Sequence, residues 1–164
     1  MIEFRLAHLG VAVADLEAAI ESYRALFGYV TLAGPFDDPL QRVRVCFVGA
    51  EAGSGARGSA VSPAAMSAAA GAHYGRVTIE LVAPWGEQSP VERVLAQGGG
   101  AYHLCYETPD LAAAIAHLRS QRCLLISGPT PAVAFDGRPI AWLYTPAKQL
   151  VELVEAAAPS PATG

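Results

Sequence analysis

The segment HLGVAVADL at residues 8–16 returns as HLCYETPDL at residues 103–111. The two copies lie 95 positions apart, and each one opens with a histidine. A repeat at a fixed spacing is typical of a chain built from two copies of one supersecondary unit. The repeat therefore predicts two equivalent modules, with His8 and His103 at matching positions.

Each copy also closes in the same way, on an apolar strand with one acid in its middle. These strands are TIELV at residues 78–82 and LVELV at residues 150–154, with Glu80 and Glu152 at their centres. A histidine at the start and a glutamate at the end of each unit make four candidate ligands.

The composition narrows the classes of function. The chain has 164 residues and a net charge of −4, without a basic stripe, which argues against nucleic-acid binding. No apolar run approaches the roughly 20 residues that cross a bilayer, and no secretory leader is evident. We expect a cytoplasmic protein with a small-molecule partner and no membrane contact. Cys46, Cys105 and Cys123 are unclustered and lie in apolar segments, so we expect buried thiols rather than disulfides.

The local patterns predict a strand, a helix and then several strands in each unit, which is an α+β fold. Residues 6–13 alternate between two faces, as a strand does. Asp15 then stands where a helix N-cap belongs, and the helical spacing runs on to Gly28. Asp110 begins the equivalent helix of the second copy.

We predict a single domain over residues 1–158 and a flexible tail at 159–164. Its parts are module 1 at about 1–86, a Gly-, Ala- and Ser-rich insertion at 49–75, a linker at 87–100 and module 2 at about 101–156. The insertion has almost no large apolar side chain, so it cannot bury enough surface to offset its ordering entropy.

The alternation of strand side chains gives the four polar residues a common direction. His8, Glu80, His103 and Glu152 point away from their apolar neighbours, which can face the helices while the polar residues face the other side of the sheet. Taken singly, a strand histidine is more often a hydrogen-bonded structural residue. Together, the four suit a divalent cation such as cobalt, nickel, manganese or zinc, with positions left open for water or substrate.

These motifs resemble the vicinal oxygen chelate superfamily, which includes glyoxalase I, methylmalonyl-CoA epimerases, extradiol dioxygenases and bleomycin-resistance proteins. The closest likeness is to the epimerases, in AHLGVAV at residues 7–13, IELVAP at 79–84 and GGGAYHL at 98–104. The resemblance implies two βαβββ modules that form a curled mixed sheet around a cleft. It also implies that the metal ligands are His8, Glu80, His103 and Glu152.

The sequence departs from the epimerase pattern at two points. Epimerases usually carry Gln where Glu80 stands, and Glu there is closer to the lactoylglutathione lyases. Epimerases also carry a glutamate base in the first hairpin, where this chain reads LQRV at residues 40–43. Asp38 is near that position but shifted by two residues, beside Pro39, and is interpreted as a turn residue.

The leading hypothesis is an isomerase or lyase that works by enolisation next to a carbonyl. A divalent metal would stabilise the enolate, and Glu152 and Glu80 would carry the proton as catalytic residues. The substrate would be an acyl thioester, as for the epimerases, or an α-keto thiol adduct, as for glyoxalase I.

Two other classes stay open on the sequence, a resistance-type binding protein without turnover and a metal-dependent dioxygenase. A binder would use aromatic walls, first of all Tyr106 or Trp142, and Arg44 could meet an anionic group at the cleft. The aromatic residues available for stacking are Trp85, Tyr102, Tyr106, Phe135, Trp142 and Tyr144. The resemblance further implies a homodimer, and the cavity could lie within one chain or between two.

Overall fold

The computed structural model describes residues 1–50 and 77–157. The predicted insertion, apart from its first two residues, and the predicted tail lie outside the described residues.

Within these ranges the chain forms eight strands, three α-helices and one short 3-10 helix. The strands are β1 (Arg5–Ala12), β2 (Val30–Asp38), β3 (Val43–Gly49), β4 (Thr78–Pro84), β5 (Gly100–Thr108), β6 (Leu124–Pro131), β7 (Pro139–Tyr144) and β8 (Leu150–Glu155). The helices are α1 (Leu16–Phe27), α2 (Glu92–Ala96) and α3 (Leu111–Ser120), and the 3-10 helix is Val133–Phe135.

The strands form one mixed sheet in the order β2-β3-β4-β1-β5-β8-β7-β6. Each module supplies one half of the sheet. The equivalent strands of the second half follow in the reverse order. The halves join through the antiparallel pair β1–β5, while β1–β4 and β5–β8 are parallel. The prediction of a curled mixed sheet made from two equivalent modules is confirmed.

Both long helices begin at the predicted aspartates. The Asp15 carboxylate accepts a hydrogen bond from the backbone N–H of Ala18 at 2.9 Å, and Asp110 accepts one from Ala113 at 2.8 Å. Such caps satisfy backbone donors that the first helical turn leaves free. The first helix ends at Gly28, whose φ of 66° is the left-handed conformation that glycine adopts readily.

The two helices cover one face of the sheet and bury its apolar side chains. Leu16 of α1 packs in a cluster with Leu81, and Leu111 of α3 packs in the equivalent cluster with Leu153. These four side chains are at most 2 % exposed. Because strand neighbours alternate, this packing directs the intervening polar residues to the opposite, concave face.

The central pair β1–β5 is interrupted twice, once on each strand. Its register skips Ala7 on β1 and Tyr102 on β5, so each strand carries one unpaired residue. Each unpaired residue directly precedes a histidine of the repeat, His8 or His103. A bulge of this kind re-aims a side chain that strict alternation would send to the other face.

The prediction of buried thiols is confirmed for two of the three cysteines. All three are free thiols; Cys46 and Cys105 are buried, and Cys123 is half-buried.

In the part of the chain that the structure describes, no helix is both long enough and apolar enough to cross a membrane.

Candidate metal centre

Four buried side chains converge at the centre of the concave face. They come from the four middle strands of the sheet, β4, β1, β5 and β8, and each module contributes one histidine and one glutamate. His8, Glu80, His103 and Glu152 are 2 %, 6 %, 1 % and 2 % exposed. One donor atom of each lies within 4.8 Å of the others. The structure thus brings all four predicted ligands together within one chain.

The distances between these donor atoms fit a shared metal ion. His8 Nε2 lies 3.1 Å from His103 Nε2, 3.2 Å from Glu80 Oε2 and 3.3 Å from Glu152 Oε2. His103 Nε2 lies 3.3 Å from Glu80 Oε2 and 3.6 Å from Glu152 Oε2. Donors about 2.1 Å from one divalent metal stand roughly 3.0–3.4 Å apart when they are neighbours. Nitrogen and oxygen donors of this kind suit manganese, cobalt, nickel or zinc.

The surroundings of one carboxylate oxygen support the same interpretation. Glu152 Oε2 is enclosed, and the imidazole nitrogens of His8 and His103 at 3.3 and 3.6 Å make no well-oriented hydrogen bond with it. A buried carboxylate oxygen without a good hydrogen bond is costly, and such atoms are usually paired or bound to a metal. The residues present therefore fit a divalent cation at this point.

The four side chains shift one another's pKa values. Burial alone would lower the pKa of the His8 imidazole, but the adjacent carboxylates of Glu152 and Glu80 raise it to about 9. Burial would raise the pKa of Glu80, yet His103 and His8 lower it to about 2. The pKa of His103 is raised and that of Glu152 is lowered in the same way, against burial. The carboxylates are ionised at neutral pH, and a metal ion would replace imidazole protons.

The position of the His103 ring depends on a glycine in the neighbouring strand. Gly10 pairs with His103 across β1 and β5, and the imidazole lies directly over its Cα atom. A Cβ atom added at Gly10 would stand 1.9 Å from Cε1 of His103. The sequence showed Gly10 only as a small residue on the face of His8, and nothing in it indicated this contact.

A cavity of about 460 Å³ opens onto the cluster, with Glu80 and Glu152 among its walls. Most of the other walls are apolar or aromatic. They include Val43, Val45, Val82, Val91, Tyr102 and Trp142. A mostly apolar cavity with a few convergent polar groups is typical of a small-molecule site.

A polar network ties the two modules together along one wall of the cavity. Asp38 is 1 % exposed and accepts hydrogen bonds from the backbone N–H of Gln41 at 2.9 Å and of Val133 at 3.3 Å. The Gln41 side chain in turn accepts one from Trp142 Nε1 at 3.3 Å. Asp38 therefore closes the predicted turn, but it also lines the cavity and holds the 3-10 helix of module 2, which the sequence did not indicate.

Two aromatic rings pack against the His8 imidazole. Phe135 stacks on His8 with 5.9 Å between ring centroids and 16° between planes. Phe47 meets His8 edge-on at 5.4 Å. Both rings therefore fix the orientation of the imidazole.

Two of the three residues predicted to line the cleft lie elsewhere. Trp142 does line the cavity, but Tyr106 packs on the helix-covered face, edge-on to Phe4 at 6.4 Å. Arg44 lies on that face too and pairs with Glu17 at 2.5 Å. Both alternate along their strands with residues of the concave face, so the pleat directs them to the helix-covered face.

The chain is similar to known proteins over most of its length. Residues 7–142 match the family described as the glyoxalase/bleomycin resistance protein/dioxygenase superfamily. The ethylmalonyl-CoA/methylmalonyl-CoA epimerase of Cereibacter sphaeroides is 30 % identical over 142 residues, which cover 85 % of this chain and 87 % of that protein. The mitochondrial methylmalonyl-CoA epimerase of Dictyostelium discoideum is 27 % identical over 155 residues, which cover 92 % and 78 %.

A solved structure shows the same fold. A variant of the Streptomyces coelicolor methylmalonyl-CoA epimerase, in complex with 2-nitronate-propionyl-CoA, superposes with a TM-score of 0.68. The two chains are 26 % identical, and the match covers 94 % of this chain and 98 % of that one.

Proposed function

Because the chain belongs to the glyoxalase/bleomycin resistance protein/dioxygenase superfamily, we propose that it is a divalent-metal-dependent epimerase of an acyl-CoA thioester. The observation that carries this proposal is the buried set of two imidazoles and two carboxylates that borders the cavity. The substrate class is supported by similar proteins that are named as epimerases of methylmalonyl-CoA and ethylmalonyl-CoA.

The metal would be held by His8, Glu80, His103 and Glu152. When bound, a cobalt, nickel, manganese or zinc ion would supply Lewis-acid polarisation of a carbonyl oxygen. The geometry of the cluster suits such an ion. The distances between the two imidazole nitrogens, and from them to the carboxylate oxygens, are 3.1 to 3.6 Å.

Proton transfer is assigned to the two carboxylates. Both side chains, Glu80 and Glu152, are carboxylates, which can accept and return a proton at neutral pH. Each contributes one donor oxygen to the cluster and also borders the cavity that would hold the substrate. Their strands, β4 and β8, flank the central pair from opposite sides. One carboxylate can therefore remove an α-proton while the other returns a proton to the opposite face, which is what epimerisation requires.

One cation at the cavity is placed to meet an anionic group of the substrate. Among the described residues that line the cavity, Arg42 is the one cation, and it is exposed. A guanidinium at the mouth can pair with a carboxylate or phosphate of the substrate. The apolar walls beyond it exclude water from the reacting carbon.

The test is α-proton exchange on one epimer of methylmalonyl-CoA in deuterated water. With cobalt, nickel, manganese or zinc added, we expect deuterium at the α-carbon together with loss of the optical signal of that epimer. Glu152→Gln should lower the rate by about 100-fold, a typical loss for an acid–base group. Glu92→Gln is the matched control, because Glu92 is an exposed glutamate of α2. Absence of exchange with all four metals would exclude this substrate.

A further inference from the structure

The two bulges of the central strand pair carry different residues at equivalent positions. Ala7 on β1 and Tyr102 on β5 are both unpaired, and each precedes a histidine of the cluster. The bulge allows Tyr102 and His103, although adjacent in sequence, to lie on the same side of the sheet. The Tyr102 ring stands 4.5 Å from the His103 ring, edge-on, and it lines the cavity.

This difference makes the two sides of the cluster unequal. Ala7 packs against an apolar cluster that contains Cys105 and Ile140, and none of these three residues lines the cavity. The side of Tyr102 opens into the cavity. A substrate in the cavity therefore approaches the cluster past Tyr102.

The Tyr102 hydroxyl is placed to donate a hydrogen bond to a bound substrate. Within residues 1–50 and 77–157 it makes no side-chain hydrogen bond, and the Tyr102 side chain lines the same cavity as Glu80 and Glu152. The side chain is half-buried rather than fully enclosed. Phenol hydroxyls in partly buried places usually find a hydrogen-bond partner.

We propose that Tyr102 is a catalytic residue whose hydroxyl donates a hydrogen bond to the carbonyl oxygen of the acyl thioester. This inference rests on the proposed function. When a carboxylate removes the α-proton, the C–H electron pair forms a carbon–carbon double bond, and the carbonyl π pair moves onto the oxygen. Tyr102 keeps its proton and donates to that oxygen more strongly as it becomes negative, and the reverse flow follows when the proton returns.

The test compares Tyr102→Phe with the matched control Tyr106→Phe, from the opposite face of the same strand, in metal-loaded protein. We expect kcat/KM for α-proton exchange on methylmalonyl-CoA to fall by about 100-fold in Tyr102→Phe, as for the loss of one oxyanion donor. Metal content should equal that of the parent, and Tyr106→Phe should leave the rate unchanged.

A binding measurement provides a readout that does not depend on turnover. By calorimetry, 2-nitronate-propionyl-CoA, whose charged oxygens mimic an enolate, should bind Tyr102→Phe at least 10-fold more weakly than the parent. Propionyl-CoA, which has a neutral carbonyl, should lose much less affinity.

Either of two results would overturn the role of Tyr102 and leave the proposed function standing. One is an unchanged rate and unchanged nitronate affinity in Tyr102→Phe beside an active parent; the other is loss of metal from this variant, which would show that Tyr102 only supports His103. A parent that neither exchanges the proton nor binds the nitronate would overturn the proposed function as well.

Discussion

At the scale of single residues, the geometry of the candidate metal centre depends on a missing side chain. The His103 ring occupies the space that a Cβ atom at Gly10 would fill, with Cε1 only 1.9 Å from that position. The backbone cannot give way easily here, because Gly10 belongs to the central strand β1. The ring itself would have to move.

We therefore expect Gly10→Ala to displace His103 and to weaken metal binding by at least 10-fold, measured by calorimetric titration with zinc. Gly49→Ala is the control, because a Cβ atom there meets the flexible end of Leu32 and none of the four cluster side chains. Equal zinc affinity in Gly10→Ala and the parent would show that the ring is not fixed by this contact.

The shifted pKa values predict how stability depends on pH in the metal-free protein. The pKa of His8 is raised from 6.5 to about 9, so its contribution is complete below pH 6.5 and is lost as the pH rises through 9. The pKa of Glu80 is lowered from 4.5 to about 2, so its contribution is complete above pH 4.5 and is lost as the pH falls through 2.

With chelator present, Tm should therefore fall as the pH rises from 6.5 to 9. Differential scanning calorimetry measures this decline, and His8→Gln should flatten it. Added zinc should stabilise more as the pH rises, because the metal competes with the imidazole proton. A chelated parent whose Tm does not change from pH 6.5 to 9 would contradict the charge pairing described for the cluster.

At the scale of elements, the repeat predicted most of what the structure shows. The strand period and the helix period recur in both modules. Together they predict the strands, the helix starts at Asp15 and Asp110 and the common direction of the four candidate ligands. The same alternation explains why Tyr106 and Arg44 do not line the cavity. Both residues were assigned to the cavity because one side chain is aromatic and the other cationic. The alternation of strand faces was not applied to them.

The bulges could not be predicted in this way. A one-residue bulge reverses the face of the residue that it carries, and its position depends on pairing between strands far apart in sequence. Strict alternation from His103 would send Tyr102 to the helix-covered face. The contacts of Asp38 with Val133 and of Phe135 with His8 also join the two modules, so they depend on tertiary structure alone.

The 3-10 helix at residues 133–135 gives a prediction at the same scale. Phe135→Ala removes the ring that stacks on His8, so we expect it to lower the free energy of unfolding by about 1–2 kcal/mol and to weaken metal binding. Val133→Ala is the control, since Val133 is 46 % exposed. Urea unfolding measures the free energy of unfolding of both variants. Equal losses in the two would contradict a stabilising role for the ring that stacks on His8.

At the scale of the whole molecule, a bound metal would join the two modules. Each module supplies one histidine and one glutamate, and the two halves of the sheet share one strand pair, β1–β5. A ligand that binds only the folded state stabilises it by an amount set by its concentration over Kd. The single domain and the homodimer stay predictions at this scale.

Metal at about 100 times its Kd should therefore stabilise the protein by roughly 2.7 kcal/mol. We expect thermal unfolding to show this as a rise in Tm that chelator reverses. His8→Ala should abolish the rise, whereas His117→Ala, a histidine of α3, should retain it. A rise of the same size in His8→Ala would place the stabilising metal elsewhere.

The most direct measurement is the metal content of protein purified without chelator, determined by elemental mass spectrometry beside a His103→Ala, Glu152→Ala double variant. A shared site in each chain predicts about one divalent ion per chain in the parent and none in the variant. A parent that holds no metal, and takes up none from added nickel, cobalt, manganese or zinc, would contradict the assignment of this cluster as a metal centre.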